Sequence, residues 1–202
     1  MNCERCSELC AVRTQIVAPS CPPGGLLAIG EAPGAEEDRL GFGFAGQAGK
    51  TLDALLASHG VPRAAYGQAN ICRCRPPGNR RPVRAEVDNC VPLLAEFLLE
   101  RRPRILLLVG GTAAAYFLGP GPLFQHLERS AQAGGVRIDQ AVCHAALRGV
   151  AETLSARVIP MPHTSGMAWH RKAPNGESWK DLGRRQVELA VRLLKSEAGG
   201  WG

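Results

Sequence analysis

Arg104-Ile105-Leu106-Leu107-Leu108-Val109, followed by Gly110-Gly111 and Thr112, carries the strongest structural signal in this 202-residue chain. An unbroken run of large apolar residues, with no polar alternation, predicts a strand covered on both faces. The two glycines turn the chain, and Thr112 is placed to start a short helix. Upstream, Leu26-Leu27-Ala28-Ile29 predicts a second buried strand leading into a loop at Gly30. Leu52, Leu55 and Leu56 recur at helical spacing between Gln47 and His59, with Gly60 and Pro62 as a stop signal. Asn70-Ile71-Cys72 reads as a short strand broken by Pro76-Pro77-Gly78-Asn79, and Val87, Val91, Leu94 and Leu98 mark a helix that Pro92 is expected to kink. Downstream, Val158-Ile159 gives a further strand and Trp179 to Lys195 an amphipathic helix. This alternation predicts an α/β fold of three layers, α/β/α, around a central, mainly parallel sheet. Ligands of such sheets lie beyond the carboxyl ends of the strands, so the loops there are the ones to search.

The reading is weaker at both flanks of this pattern. Gly119 to Ala156 holds faint periodicities split by Gly134-Gly135, and there are no internal repeats. Residues 1–25, with four cysteines and Cys21-Pro22-Pro23-Gly24-Gly25, read as an irregular arm that needs a staple. The whole length, 1–202, is expected to form a single domain.

A net charge of +6 and a pI near 9.1, built largely from arginine, favour a polyanionic partner. Neither a basic leader with an apolar run nor a membrane-length apolar stretch occurs, so a cytoplasmic, nucleoid-associated protein is expected, with no membrane partner. In a reducing compartment its eight cysteines point to metal ligation, catalysis or packing rather than disulfides. Cys3 and Cys6 form a Cys-x-x-Cys pair, and Cys74 and Cys90 lie on either side of the Pro-rich turn. Zinc and an iron–sulfur cluster are both open on this spacing, and Cys10, Cys21, Cys72 and Cys143 compete for membership.

Three further stretches sharpen the reading: Gly30-Glu31-Ala32-Pro33-Gly34 with Glu37-Asp38; Phe44-Ala45-Gly46-Gln47-Ala48-Gly49; and Asn70 through Cys74-Arg75-Pro76-Pro77-Gly78-Asn79-Arg80 to Pro82. In order and spacing they resemble the family 4 uracil-DNA glycosylases. The resemblance implies a monomeric enzyme acting on uracil in DNA, with a [4Fe–4S] cluster on Cys3, Cys6, Cys74 and Cys90. It extends to Trp179-Lys180-Asp181-Leu182 but is poor over Gly119 to Ala156. Where the family has His-Pro-Ser, this chain has His163-Thr164-Ser165-Gly166-Met167. A sister group that bonds covalently to its product carries a histidine in the loop matching Asn79 to Arg84, and this loop has none, so covalent capture by that route is not expected.

Breaking an N-glycosidic bond puts positive charge on the sugar and negative charge on the departing base. The site therefore needs an anion near the sugar carbon or its water, and a donor toward the base carbonyl. Glu31 and His163 suit those two tasks, and the resemblance assigns them there. Gly30 and Ala32 would flank the base, Phe44 would stack on it, and the Asn70 amide would read its edge. Arg75, Arg80, Arg81 and Arg84 are candidate phosphate contacts, joined by Ser165 and Arg171, while Met167 is a candidate wedge for the gap left by a flipped base. The same scaffold could instead take hypoxanthine or xanthine, an option raised by Thr164 and Gly166, or serve as a catalytically silent iron–sulfur module that binds DNA.

Overall fold

The computed structural model describes residues 3–141 and 144–198, without the side chains of 167, 197 and 198. Cys143 and the Met167 side chain therefore lie outside the described residues. The central sheet contains β1 (Leu26–Gly30), β2 (Tyr66–Asn70), β3 (Ile105–Val109), β4 (Val136–Arg137) and β5 (Arg157–Met161). They lie in the order β2-β1-β3-β5-β4, all parallel except the short edge strand β4. The helices are α1 (Ser7–Val12), α2 (Ala35–Leu40), α3 (Gln47–Ser58), α4 (Arg84–Arg101), α5 (Gly111–Leu118), α6 (Leu123–Ala133), α7 (Arg148–Thr153), α8 (Gly166–Trp169) and α9 (Trp179–Ala198).

Successive residues of a strand point to opposite faces, and here both faces are covered. Leu26 and Ala28 of β1, with Ile105, Leu107 and Val109 of β3, pack with residues of α3 and α9. Leu27 and Ile29, with Leu106 and Leu108, pack instead with α4, α5 and α7. That is the expected three-layer α/β/α arrangement with a mainly parallel sheet.

Two local expectations change. The second strand ends at Asn70 rather than beginning there. Tyr66-Gly67-Gln68-Ala69 is a weak apolar signal because Gly67 lies against Cys21, where an added Cβ would stand 2.5 Å from its Cβ, and Gln68 is a buried polar residue. The arm is not wholly irregular: Ser7–Val12 is helical, and Ser20 pairs with Gln68 through backbone bonds of 2.9 and 2.6 Å. Pro92 lies inside α4, which extends to Arg101. In the weakly patterned region, α6, β4 and α7 complete the edge of the sheet.

Candidate active site

The parallel register pairs Gly30 with Asn70, so the ends of β1 and β2 stand side by side. A Cβ on Gly30 would lie 2.5 Å from Asn70 Oδ1 and 3.2 Å from Phe44 Cζ. Only a residue without a side chain lets the Phe44 ring and the Asn70 amide approach this backbone. Asn70 is buried, and among the described residues its amide makes no hydrogen bond. The Phe44 backbone is left-handed, with φ of 54°. Its carbonyl lies against the first turn of α3, where a Cβ on Gly49 would come within 1.8 Å of it. The glycine thus makes room for the turn that presents the ring. Ala32 is partly buried and packs with the α4–α5 side of the core.

The strand order runs outward on both sides from β1 and β3, so the sheet's topological switch point falls between their carboxyl ends. Glu31 follows β1 there, and His163 follows β5 two residues after Met161. The two side chains are near enough for the Glu31 charge to act on His163. Gly110, at the end of β3, lies under the imidazole, 3.4 Å from an added Cβ to Cδ2. The Ser165 backbone N–H donates to His163 Nδ1 at 3.1 Å. A backbone N–H can only donate, so Nδ1 carries the lone pair and the neutral ring holds its proton on Nε2. His163 is open to solvent at its surface but stands among crowded walls, and this desolvation holds its pKa below the ordinary value against the opposing pull of Glu31 and Glu37.

Thr164 faces away from this space: it is buried, and its hydroxyl donates to the Ala48 carbonyl at 2.7 Å. The bond ties the histidine loop to the start of α3. Ser165 precedes α8 and Arg171 is exposed just beyond it.

Two carboxylates absent from the expected site residues hold its loops. Glu37 accepts from the N–H groups of Gly34 at 3.0 Å and Gly46 at 2.8 Å, bridging the Glu31 loop to the Phe44 loop. The buried Asp38 accepts from the Thr14 and Gln15 N–H groups at 2.9 and 3.2 Å, fastening the arm. Both belong to motif residues whose spacing was visible, but spacing alone does not reveal which loops a carboxylate joins.

Four cysteines from the two ends of the pattern converge. Cys6 lies within electrostatic reach of Cys3 and Cys90, and Cys74 of the same two. Arg13 donates to Cys74 Sγ at 3.1 Å and to the Cys3 carbonyl at 2.7 Å, and the Asn89 amide donates to Cys6 Sγ at 3.4 Å. A hydrogen bond from the Cys72 thiol, then the Arg73 N–H and nearby guanidinium charge, hold the Cys90 thiol below its ordinary pKa against the opposing effect of burial. Cys10 is adjacent, bonding the Cys3 carbonyl at 3.4 Å, whereas Cys21 is buried elsewhere, beside Gly67. No group of three or more His, Cys, Asp or Glu side chains among the described residues is spaced to hold a single metal ion.

Beside these thiols, Arg80 makes a bidentate pair with the buried Glu86 at 2.9 and 2.7 Å and a second contact with Glu8 at 3.2 Å. Arg84 pairs with Asp88, and Arg75 Nε donates to Asn79 Oδ1 at 2.7 Å. Arg81 is exposed and has no ion pair among the described residues. No described helix is long and apolar enough to cross a membrane.

An open α/β/α sheet gathers an acid, a histidine, an aromatic ring and an amide at the carboxyl ends of its strands, where proteins of the α/β class hold their ligands. A family model described as the uracil DNA glycosylase superfamily matches residues 20–183, and the chain belongs to that superfamily. It is similar to the Type-4 uracil-DNA glycosylases of Archaeoglobus fulgidus, 37% identical over 57% of this chain and 58% of that protein, and of Pyrobaculum aerophilum, 36% over 54% and 56%. The Thermotoga maritima Type-4 enzyme is 36% identical over 46% of this chain and 48% of its own. The chain thus spans about half the length of the curated relatives it matches.

Proposed function

We propose that this chain is a monofunctional DNA glycosylase that flips uracil out of DNA and hydrolyses its N-glycosidic bond, leaving an abasic site. The reading is supported chiefly by the close approach of Phe44 and Asn70 to the side-chain-free edge of Gly30, with Glu31 next in the chain and within electrostatic reach of His163. The flipped ring stacks on Phe44, and the Asn70 amide offers one donor and one acceptor to uracil O4 and N3–H, a pattern that cytosine reverses. As the C1′–N1 bond breaks, its electron pair enters the base and charge gathers on O2. His163 Nε2–H donates to that oxygen without needing to be protonated, since Nδ1 is held by Ser165. Glu31 steadies the positive sugar and orients a water; the water oxygen bonds C1′ and Glu31 receives its proton. Uracil over other deaminated bases is favoured because the Thr164 hydroxyl is engaged with Ala48 and adds no new group to the base site.

Ser165, Arg75, Arg81 and Arg171 serve the phosphate backbone, and Arg80 chiefly braces its own loop through Glu86. A DNA substrate places the protein's work in the compartment that holds the chromosome, and the chain acts as one domain and as a monomer. The backbone bonds from Val17 to Arg73 and Ser20 to Gln68 support treating the arm as part of that unit.

Cys3, Cys6, Cys74 and Cys90 would hold a [4Fe–4S] cluster. The donor chemistry fits: four thiols linked by mutual electrostatic contact lie among Arg5, Arg13 and Asn89, which favour an anionic group. When bound, the cluster supplies iron–thiolate bonds that cross-link the arm to α4. Purified protein should be brown with broad visible absorption, lost in Cys74→Ala.

The enzyme test uses oligonucleotides containing uracil, hypoxanthine or xanthine, with abasic sites cleaved by alkali. Strand breaks from uracil alone are expected, and Glu31→Ala or His163→Ala should abolish most of them while the fold is kept. No breaks from any substrate would leave only a DNA-binding module; breaks from another base would shift the specificity.

A further inference from the structure

The largest cluster of directed hydrogen bonds near the base slot centres on Arg63, in the turn Arg63–Ala65 just before β2. Its Nη1 donates to the Phe44 carbonyl at 3.2 Å, to Asp53 Oδ1 at 3.0 Å and to the Tyr66 hydroxyl oxygen at 3.1 Å. Its Nη2 donates to the Gly43 carbonyl and to Gln68 Oε1, the latter at 2.7 Å. These acceptors come from three separate segments: the loop that presents Phe44, helix α3 and strand β2. Tyr66 donates its own proton to Asp53, and burial with this bond keeps the phenol protonated, so its oxygen can accept from Arg63. The rings of Phe42 and Tyr66 stand 5.8 and 5.6 Å from the guanidinium carbon.

The network lies under the two groups that would grip the base. Arg63 holds the carbonyls on both sides of the Phe44 nitrogen and α-carbon, fixing a peptide whose left-handed conformation is unfavourable for a phenylalanine. It also holds Gln68, which lies two residues before Asn70 and so on the same face of β2. The intervening space is narrow: a Cβ on Gly43 would be 3.4 Å from Gln68 Cβ and 4.0 Å from Asn70 Nδ2.

We propose that Arg63 is a positioning residue that sets the width and tilt of the base slot, by locking the Phe44 turn to the strand that carries Asn70. It touches neither base nor sugar. The role depends on the planar, multi-donor fork of arginine, and a lysine ammonium at that point cannot span the two carbonyls, Asp53 and Gln68 together. The inference rests on the glycosylase reading and adds to it a residue that selects a flat ring of pyrimidine size.

The test is a double-mutant cycle on the full protein, Arg63→Gln with Phe44→Leu, read by KM and kcat on a uracil oligonucleotide and by inhibition with free uracil. In the wild-type background Arg63→Gln should weaken free-uracil inhibition and raise KM by about 10- to 100-fold, as small misplacements at an active site do. Affinity for undamaged DNA should stay within about threefold. In the Phe44→Leu background the same change should cost far less, because no ring remains to be positioned. Arg63→Lys should resemble Arg63→Gln. Equal losses in both backgrounds, or unaltered inhibition by uracil, would overturn the role. Should Arg63→Gln fail to fold, Tyr66→Phe removes one link of the network and is expected to weaken uracil inhibition in the same way; no effect there would also overturn it. A wild-type protein that releases no uracil would overturn the glycosylase reading itself, a result distinct from an active wild type with additive losses.

Discussion

In His163 one backbone bond sets which ring nitrogen carries the proton. With Nδ1 accepting from Ser165, a second proton can enter only by breaking that bond and turning two N–H groups toward each other. Desolvation acts in the same direction, so the histidine stays neutral below the ordinary histidine range. Uracil release should therefore hold steady as pH falls through 6.5, because the neutral ring persists there; a loss centred on that ordinary value and absent from the residual activity of His163→Gln would show that the ring titrates freely. The linkage has the same sign. Unfolding restores the ordinary, higher pKa, so the unfolded chain binds the proton first, and the associated stability is present above the ordinary value and lost as pH drops through the folded one. Thermal midpoints of wild type and His163→Gln across that window should converge on the acid side. His163, Glu31, Phe44 and Asn70 were all legible in motifs, whereas Arg63 was not: Gly60-Val61-Pro62-Arg63 reads as an ordinary loop, and its acceptors come from three other stretches of chain.

At the scale of elements, the short helix α2 links the arm to the site. Gly34 caps it, Glu37 returns a carboxylate to the cap N–H, and the neighbouring Asp38 reaches the opposite way to the arm. Six residues would be marginal as a helix alone, so these side-chain bonds to flanking loops are what hold it. Asp38→Ala leaves the Thr14 and Gln15 N–H groups without their acceptor and should lower stability by about 1–3 kcal/mol. Proteolysis would then begin in the arm ahead of the sheet. A drop in denaturation midpoint with the arm still protected would show that the arm is fastened by other bonds. The helix escaped sequence reading because its length is below a periodic window. The β2 strand escaped for another reason: its register depends on Gly67 fitting under Cys21 and on Gln68 meeting Arg63, not on apolarity.

For the whole molecule, a charge of +6 predicts DNA binding that weakens steeply with salt. The arginines do not share that work equally. Arg81, exposed and without an ion pair among the described residues, should on replacement by glutamine reduce the log–log salt slope by about one. Arg80→Gln should instead lower stability, because it strips a buried Glu86 of its bidentate partner, and should leave the slope nearly as it was. Filter-binding titrations of both variants on undamaged DNA distinguish the two; equal slopes lost by both would mean that Arg80 leaves Glu86 for phosphate.

The sequence by itself determined the layered α/β fold and the residues of the candidate site, because buried strands, helix periods and loop motifs are local patterns that short-range chemistry writes into neighbouring positions. Tertiary structure alone decided which charges are available and which are engaged, where the Thr164 hydroxyl points, and how Arg63 joins the Phe44 turn to the strand that ends at Asn70. Those are contacts between segments far apart in the chain, and a hydrogen bond between such segments exists only once the sheet has set their distance.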